Sequence, residues 1–127
     1  GICLGMQFLF DSSDEMGNHA GLGILPGHVT RFADQAGFKV PHIGWNQLQL
    51  SKPSALTNGI PNAEYAFFVH SYYCIPENPA DTLITTDYGI SFTSGVQHQH
   101  IYGVQFHPEK SSTAGLTLLK NFLSWAP

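Results

Sequence analysis

Apolar and polar positions along the chain change period several times, and each change marks an element. Met6, Phe8, Leu9 and Phe10 form a nearly continuous apolar run, read as a short helix over residues 6–10 that is buried on most sides and ends near residues 11–14. Residues 16–27 hold Gly17, Asn18, Gly21, Gly23, Pro26 and Gly27, a composition of loops and tight turns. Strict alternation over residues 27–32 predicts a strand, and the turn at 34–37 predicts a hairpin partner at 38–40. Residues 41–50 begin as a loop and end as an alternating strand. Pro53, Asn58-Gly59 and Pro61 break residues 52–62 into loop. The aromatic and β-branched run Tyr65-Ala66-Phe67-Phe68-Val69 has the character of a central, doubly covered strand. Residues 82–87, 90–96 and 100–105 are three further strand candidates. Ser111, Ser112 or Thr113 caps a last helix whose Leu116, Leu119, Phe122 and Leu123 repeat at helical spacing and should close the core. The sum is a mixed α/β chain with antiparallel hairpins between its first and last helices.

Composition narrows the function classes. Of the 127 residues 43% are hydrophobic and 11% charged, against roughly a quarter charged in an ordinary domain, so part of the surface is expected to lie under a partner. Nine acidic and five basic side chains give a net charge of −4 with no Lys/Arg cluster, which argues against a nucleic-acid ligand. No apolar run approaches the ~20 residues of a membrane span and no signal-peptide pattern opens the chain, so a cytoplasmic location without membrane contact is expected. Two cysteines, Cys3 and Cys74, are too few for a disulfide framework. His19, His28, His42, His98 and His100 show no ligand spacing with Cys74, and neither metal nor cofactor is expected.

The chemistry concentrates at two places. Gly1-Ile2-Cys3-Leu4-Gly5 has the form of a nucleophile elbow, in which small flanks let a strand turn sharply into a helix with the thiol projecting outward. The helix N-terminus behind such a thiol would favour thiolate. A small buried cysteine between two turn glycines is the plainer alternative. Far down the chain, His107-Pro108-Glu109 places a histidine and a carboxylate on a turn that proline keeps extended. Glu109 bonded to one ring nitrogen would set the tautomer and leave the other to face a thiol; a polar surface pair is the alternative. Together the two motifs form a candidate Cys3–His107–Glu109 triad.

Gly1-Ile2-Cys3-Leu4-Gly5-Met6-Gln7, Phe68-Val69-His70-Ser71-Tyr72 and Gly103-Val104-Gln105-Phe106-His107-Pro108-Glu109 resemble the three successive signatures of the class I (triad) glutamine amidotransferases. Pro41-His42-Ile43-Gly44-Trp45-Asn46 and the ending Lys110-Ser111 are most similar to the branch that serves as glutaminase subunit in imidazole glycerol phosphate synthases. The anthranilate and aminodeoxychorismate branches share the elbow and the His–Glu pair but not the Trp-Asn loop. The resemblance implies a flavodoxin-like fold and attack of Cys3 on the side-chain carboxamide of glutamine, with His107 as acid and base. It implies an oxyanion donor at the Leu4 N–H, a glutamine clamp from Gln7, Ser71 and Tyr72, and no cofactor. It also implies a partner face at Trp45, Asn46 and Lys110 that meets a (β/α)8-barrel synthase subunit in a heterodimer and passes it ammonia for histidine biosynthesis. Because the chain opens inside the elbow, residues 1–127 are expected to be the C-terminal portion of a single amidotransferase domain, with upstream strands and the second oxyanion donor outside it. Other readings stay open: another triad amidotransferase subunit of the anthranilate or GMP synthase type, a γ-glutamyl peptidase, or a non-catalytic interaction module.

Overall fold

The computed structural model describes residues 1–125. Among them nine strands and two α-helices follow in the order α1 (Leu4–Phe8), β1 (Phe10–Ser13), β2 (His19–Ala20), β3 (Leu25–Arg31), β4 (His42–Leu50), β5 (Glu64–His70), β6 (Tyr72–Pro76), β7 (Thr82–Asp87), β8 (Ser91–His98), β9 (Ile101–Val104) and α2 (Ser112–Trp125), with single 3-10 turns at Pro79–Asp81 and Pro108–Lys110. Among the described residues the strands form one sheet in the order β2-β1-β3-β6-β8-β7-β4-β5, with β9 on β8. Pairing is antiparallel except between β1 and β3 and at the bridge from Ile2 to Val104. The fold is thus mixed α/β, dominated by antiparallel ribbons.

Two cores hold it together. Phe68, Phe92, Phe106, Leu48, Leu83 and Leu118 pack in the larger one, and Met6, Phe10, Leu25, Val29, Cys74 and Val96 in the smaller one around α1. Burial at roughly 25 cal/mol per Å² of apolar surface is the main drive for both. Gly103 lets α1 approach β9: a Cβ there would stand 2.9 Å from the Met6 side chain.

Several expected elements differ. Helix α1 stops at Phe8, and the apolar run continues as β1, because Phe10 pairs with Leu25 instead of extending the helix. The hairpin expected after residue 32 does not form, since β3 takes β6 as its antiparallel partner and only a single bridge joins Gln35 to Phe38. β4 begins at His42, within the stretch expected to be loop. β5 lies at the sheet edge rather than at its centre: Ala66, Phe68 and His70 face the core while Tyr65 and Val69 face outward. In α2 the buried positions are Ala114, Gly115 and Leu118, whereas Leu116, Phe122 and Leu123 are exposed. Gly115 explains the choice of face, because a Cβ there would stand 1.8 Å from the Pro108 carbonyl oxygen; the glycine lets the helix lie directly on the turn that carries His107.

Candidate active site

The elbow is built by backbone pairing. Val104 donates to the Gly1 carbonyl at 2.9 Å and Cys3 donates to the Val104 carbonyl at 2.8 Å, so residues 1–3 run parallel to the end of β9. The chain then turns abruptly into α1, and Cys3 takes φ 53°, ψ −112°. A non-glycine residue at positive φ is strained and persists only where its surroundings enforce it. Gly1 is needed for this turn: a Cβ would come within 2.6 Å of the Gly5 carbonyl oxygen. Gly5 meets nothing within 4 Å and has no such steric reason.

Three residues beyond Val104, His107 is fixed against the middle of β5. Its N–H donates to the Phe67 carbonyl at 3.0 Å. The fully buried Ser111 closes the loop: its Oγ accepts from the Phe67 N–H at 3.0 Å and donates to the His107 carbonyl at 2.6 Å. On this anchored turn His107 Nδ1 lies 2.8 Å from Glu109 Oε1, which leaves Nε2 directed elsewhere and sets it as the basic nitrogen when the ring is neutral. The little burial that would raise the Glu109 carboxyl is outweighed by its own backbone N–H, the His107 hydrogen bond and the charges of His107 and Lys110, so its pKa falls below the ordinary value.

The thiol itself is not poised as thiolate. Burial pushes the Cys3 pKa up and nearby Glu109 adds to this, while hydrogen bonds from the Leu4 N–H and the Gln105 amide act against it. The expected effect of the helix N-terminus is outweighed by this burial. The Leu4 N–H does face the sulfur. Among the described residues the side-chain partner of the sulfur is Gln105 Nε2, at 3.8 Å, and not the His107 ring.

The other expected site residues are placed more variously. Gln7 is buried, not a surface amide, and its Nε2 donates to the Tyr72 carbonyl and to Gln105 Oε1, both at 3.2 Å. The backbone carbonyls of Ser71 and Tyr72 are both satisfied within the chain. Phe32 N–H donates to Ser71, and Tyr72 accepts from Gln7 and from His70 Nδ1 at 2.7 Å. Trp45 is 53% exposed and Lys110 is exposed. Asn46 turns the other way, with Nδ2 donating to the Asp87 carbonyl at 2.8 Å and to His42 Nε2 at 3.3 Å, and Oδ1 accepting from the Gln47 N–H. The register Ile43↔Val69, Trp45↔Phe67, Gln47↔Tyr65 puts a largely apolar outer face on β4 and β5, next to the His107 turn.

Sequence reasoning misses Gln105, Ser111 and His42 as parts of the site's framework. Only their neighbourhood to the motifs could have pointed to them: Gln105 between Gly103 and Glu109, Ser111 just after Glu109, and His42 just before Gly44. Both cysteines are free, as expected. Cys74 is buried, and burial pushes its thiol well above the ordinary range.

Known proteins align with this architecture. The chain is 52% identical to the imidazole glycerol phosphate synthase subunit HisH of Aromatoleum aromaticum, a match covering all of the chain and 63% of the relative. It is equally identical to that of Moorella thermoacetica, over 96% of the chain and 57% of the relative. It therefore spans about 60% of the length of the curated relatives it matches. In structure it resembles a candidate GMP synthase component of Thermoplasma acidophilum, with TM-score 0.69, 22% identity and coverage of 98% of this chain and 54% of the other. A glutamine amidotransferase of Thermotoga maritima superposes with TM-score 0.62 at 19% identity, over 98% of this chain and 46% of the other. At such identities these two likenesses establish the fold, the flavodoxin-like arrangement of this class. The family model for class-I glutamine amidotransferases matches residues 1–125, and this chain belongs to that family.

Proposed function

We propose that the protein carrying this chain is a glutaminase subunit that hydrolyses glutamine to glutamate and ammonia through Cys3, His107 and Glu109, and that residues 1–127 form the C-terminal portion of its single amidotransferase domain. The observation that carries the reading is the 2.8 Å contact of Glu109 with His107 Nδ1 on a turn pinned beside the Cys3 elbow. His107 Nε2 takes the thiol proton as the sulfur attacks the carboxamide carbon. Charge develops on the carboxamide oxygen, which accepts from the Leu4 N–H. On collapse the C–N bond breaks, the leaving ammonia takes its proton from His107, and a γ-glutamyl thioester remains on Cys3. His107 then accepts a proton from water as it attacks the thioester, and glutamate and free thiol are released. Glu109 holds the ring and stabilises the imidazolium.

The substrate edge is formed by Ser71 and Tyr72, with Gln7 setting its position from beneath rather than offering free amide hydrogens to the ligand. The partner is a (β/α)8-barrel synthase subunit in a cytoplasmic heterodimer that makes imidazole glycerol phosphate for histidine biosynthesis. Identity of 52% to HisH subunits supports this choice over the other amidotransferase branches. The exposed Ile43, Trp45, Tyr65 and Val69 supply an apolar docking strip, and Trp45 is its aromatic anchor. Lys110, exposed beside the triad turn, pairs with a partner carboxylate. Ammonia kept between two proteins escapes protonation in bulk water and remains nucleophilic. Among the described residues no helix is long and apolar enough to cross a membrane.

The test is the Cys3→Ser variant of the full-length protein mixed with the barrel subunit. Glutamine-dependent product formation should vanish while ammonia-dependent formation persists. Retained glutamine-dependent activity would sink the reading, and turnover indifferent to any synthase partner would favour a γ-glutamyl peptidase.

A further inference from the structure

Polar groups, most of them buried, lead from the first half of β4 to the Tyr72 carbonyl and from there to the Cys3 sulfur. The Tyr72 carbonyl can only accept, so His70 Nδ1, 2.7 Å away, must carry its proton. In the neutral ring Nε2 is then an acceptor, and His42 Nδ1 at 2.9 Å donates to it. That leaves His42 Nε2 to accept from Asn46 Nδ2, which Asp87 also holds. On the other side of the Tyr72 carbonyl, Gln7 Nε2 donates both to it and to Gln105 Oε1. With its oxygen taken by Gln7, the Gln105 amide can present only its nitrogen to Cys3 Sγ. Gln105 is 0% exposed, and Gln7, His42 and His70 are also buried, so water does not offer these groups alternative partners. Every donor in the chain has one direction, and reversing the Gln105 amide would set its NH2 against the Gln7 NH2. The arrangement comes from the fold: β9 brings Gln105 beside the elbow, while the β4–β5 register sets His42 opposite His70.

We infer that Gln105 is a positioning residue for the Cys3 thiol, and that Gln7, held donor-first by the Tyr72 carbonyl, keeps the Gln105 amide nitrogen toward the sulfur. For its bearing on turnover the inference rests on the reading of Cys3 as nucleophile; the positioning itself is read on the thiol. The N–H contact stabilises the developing thiolate against the nearby Glu109 carboxylate, which faces the sulfur from the His107 turn. It also holds the sulfur in one place before substrate arrives.

Alkylation of Cys3 by iodoacetamide across the pH range in the full-length protein, followed by the mass of the Cys3 peptide, tests this with Cys74 as a buried internal control. Gln105→Glu keeps the acceptor for Gln7 but sets a carboxylate against the sulfur; its alkylation midpoint should move up by about one pH unit, a tenfold slower reaction below the midpoint. Gln7→Met leaves Gln105 in place but frees its oxygen, and should move the midpoint in the same direction by a smaller amount, roughly threefold in rate. A purely structural Gln105 would lower the melting temperature without moving the midpoint. An unchanged midpoint in Gln105→Glu overturns the inference, and an unchanged midpoint in Gln7→Met overturns the part played by Gln7. If Gln105→Glu does not fold, Gln7→Met decides alone, its shifted midpoint supporting the inference and its unshifted one overturning it. Absence of glutaminase turnover in the unaltered protein mixed with its barrel partner, together with a shifted thiol midpoint in the variants, overturns the functional reading and leaves this inference standing.

Discussion

Acidification should destabilise this fold through two buried imidazoles. His42 and His70 are 3% and 6% exposed and touch through Nδ1 and Nε2. Burial lowers both pKa values from 6.5 to about 4, with the neighbouring ring adding to the effect at His42 and the Tyr72 carbonyl opposing it at His70. Since the folded values are depressed, the unfolded chain takes up protons first as pH falls below 6.5. The stability tied to neutral rings is therefore complete above pH 6.5 and is lost as pH falls toward 4. At pH 5 an unfolded imidazole is almost fully protonated and a folded one almost neutral, a penalty of about 2 kcal/mol for His70. His42 is shifted as far, but the two rings share one contact and their contributions do not add in full, so the drop between pH 7.5 and 5 should be roughly 2–4 kcal/mol. Urea unfolding at stepped pH measures it in the full-length protein, with His42→Gln/His70→Gln as the control. The double variant should start less stable but lose far less on acidification. Equal pH slopes in the two proteins would refute the account of neutral, mutually bonded rings.

Other consequences can be checked separately. Ser111→Ala leaves the Phe67 N–H and the His107 carbonyl without their hydroxyl partner and should cost roughly 2–4 kcal/mol in a urea titration; a loss under about 0.5 kcal/mol would show that the turn is pinned otherwise. Gly115→Ala, which ordinarily favours a helix by about 1 kcal/mol, should here destabilise by about 2 kcal/mol or more, because the methyl meets the Pro108 carbonyl. A gain in melting temperature would contradict that contact. Trp45→Ala should change stability by no more than about 1 kcal/mol, yet weaken binding of the barrel subunit by at least about tenfold. Calorimetry would show the opposite pattern if Trp45 were a core residue.

How much of the fold and site is legible in the sequence depends on whether the signal is local. Cys3 between its glycines and His107 two residues before Glu109 are short-range patterns, and the β7 to β9 strands follow from simple alternation and turns. β5 reads as central because its outward face, Tyr65, Phe67 and Val69, is apolar too, so an edge strand with an exposed hydrophobic face looks like a strand covered on both sides. The α2 face misleads for a related reason. Leu116, Phe122 and Leu123 carry the larger hydrophobic signal, but the small residues Ala114 and Gly115 allow the closer approach to the Pro108 turn. β6 escapes notice because Tyr72 to Pro76 lacks alternation and draws its partners from distant strands. The Asn46-to-Cys3 chain joins residues up to 102 positions apart, and no periodicity announces such contacts.

The central claim is that Cys3 carries the γ-glutamyl group. Rapid mixing of the full-length protein and its barrel partner with glutamine, acid quench, and mass analysis of the peptide containing Cys3 addresses it directly. The account predicts a γ-glutamyl adduct on Cys3 that builds up within the first turnover, persists longer when Glu109→Gln slows its hydrolysis, and never forms on Cys74. Steady glutamine hydrolysis with an unmodified Cys3 peptide at every quench time, in both proteins, would contradict it.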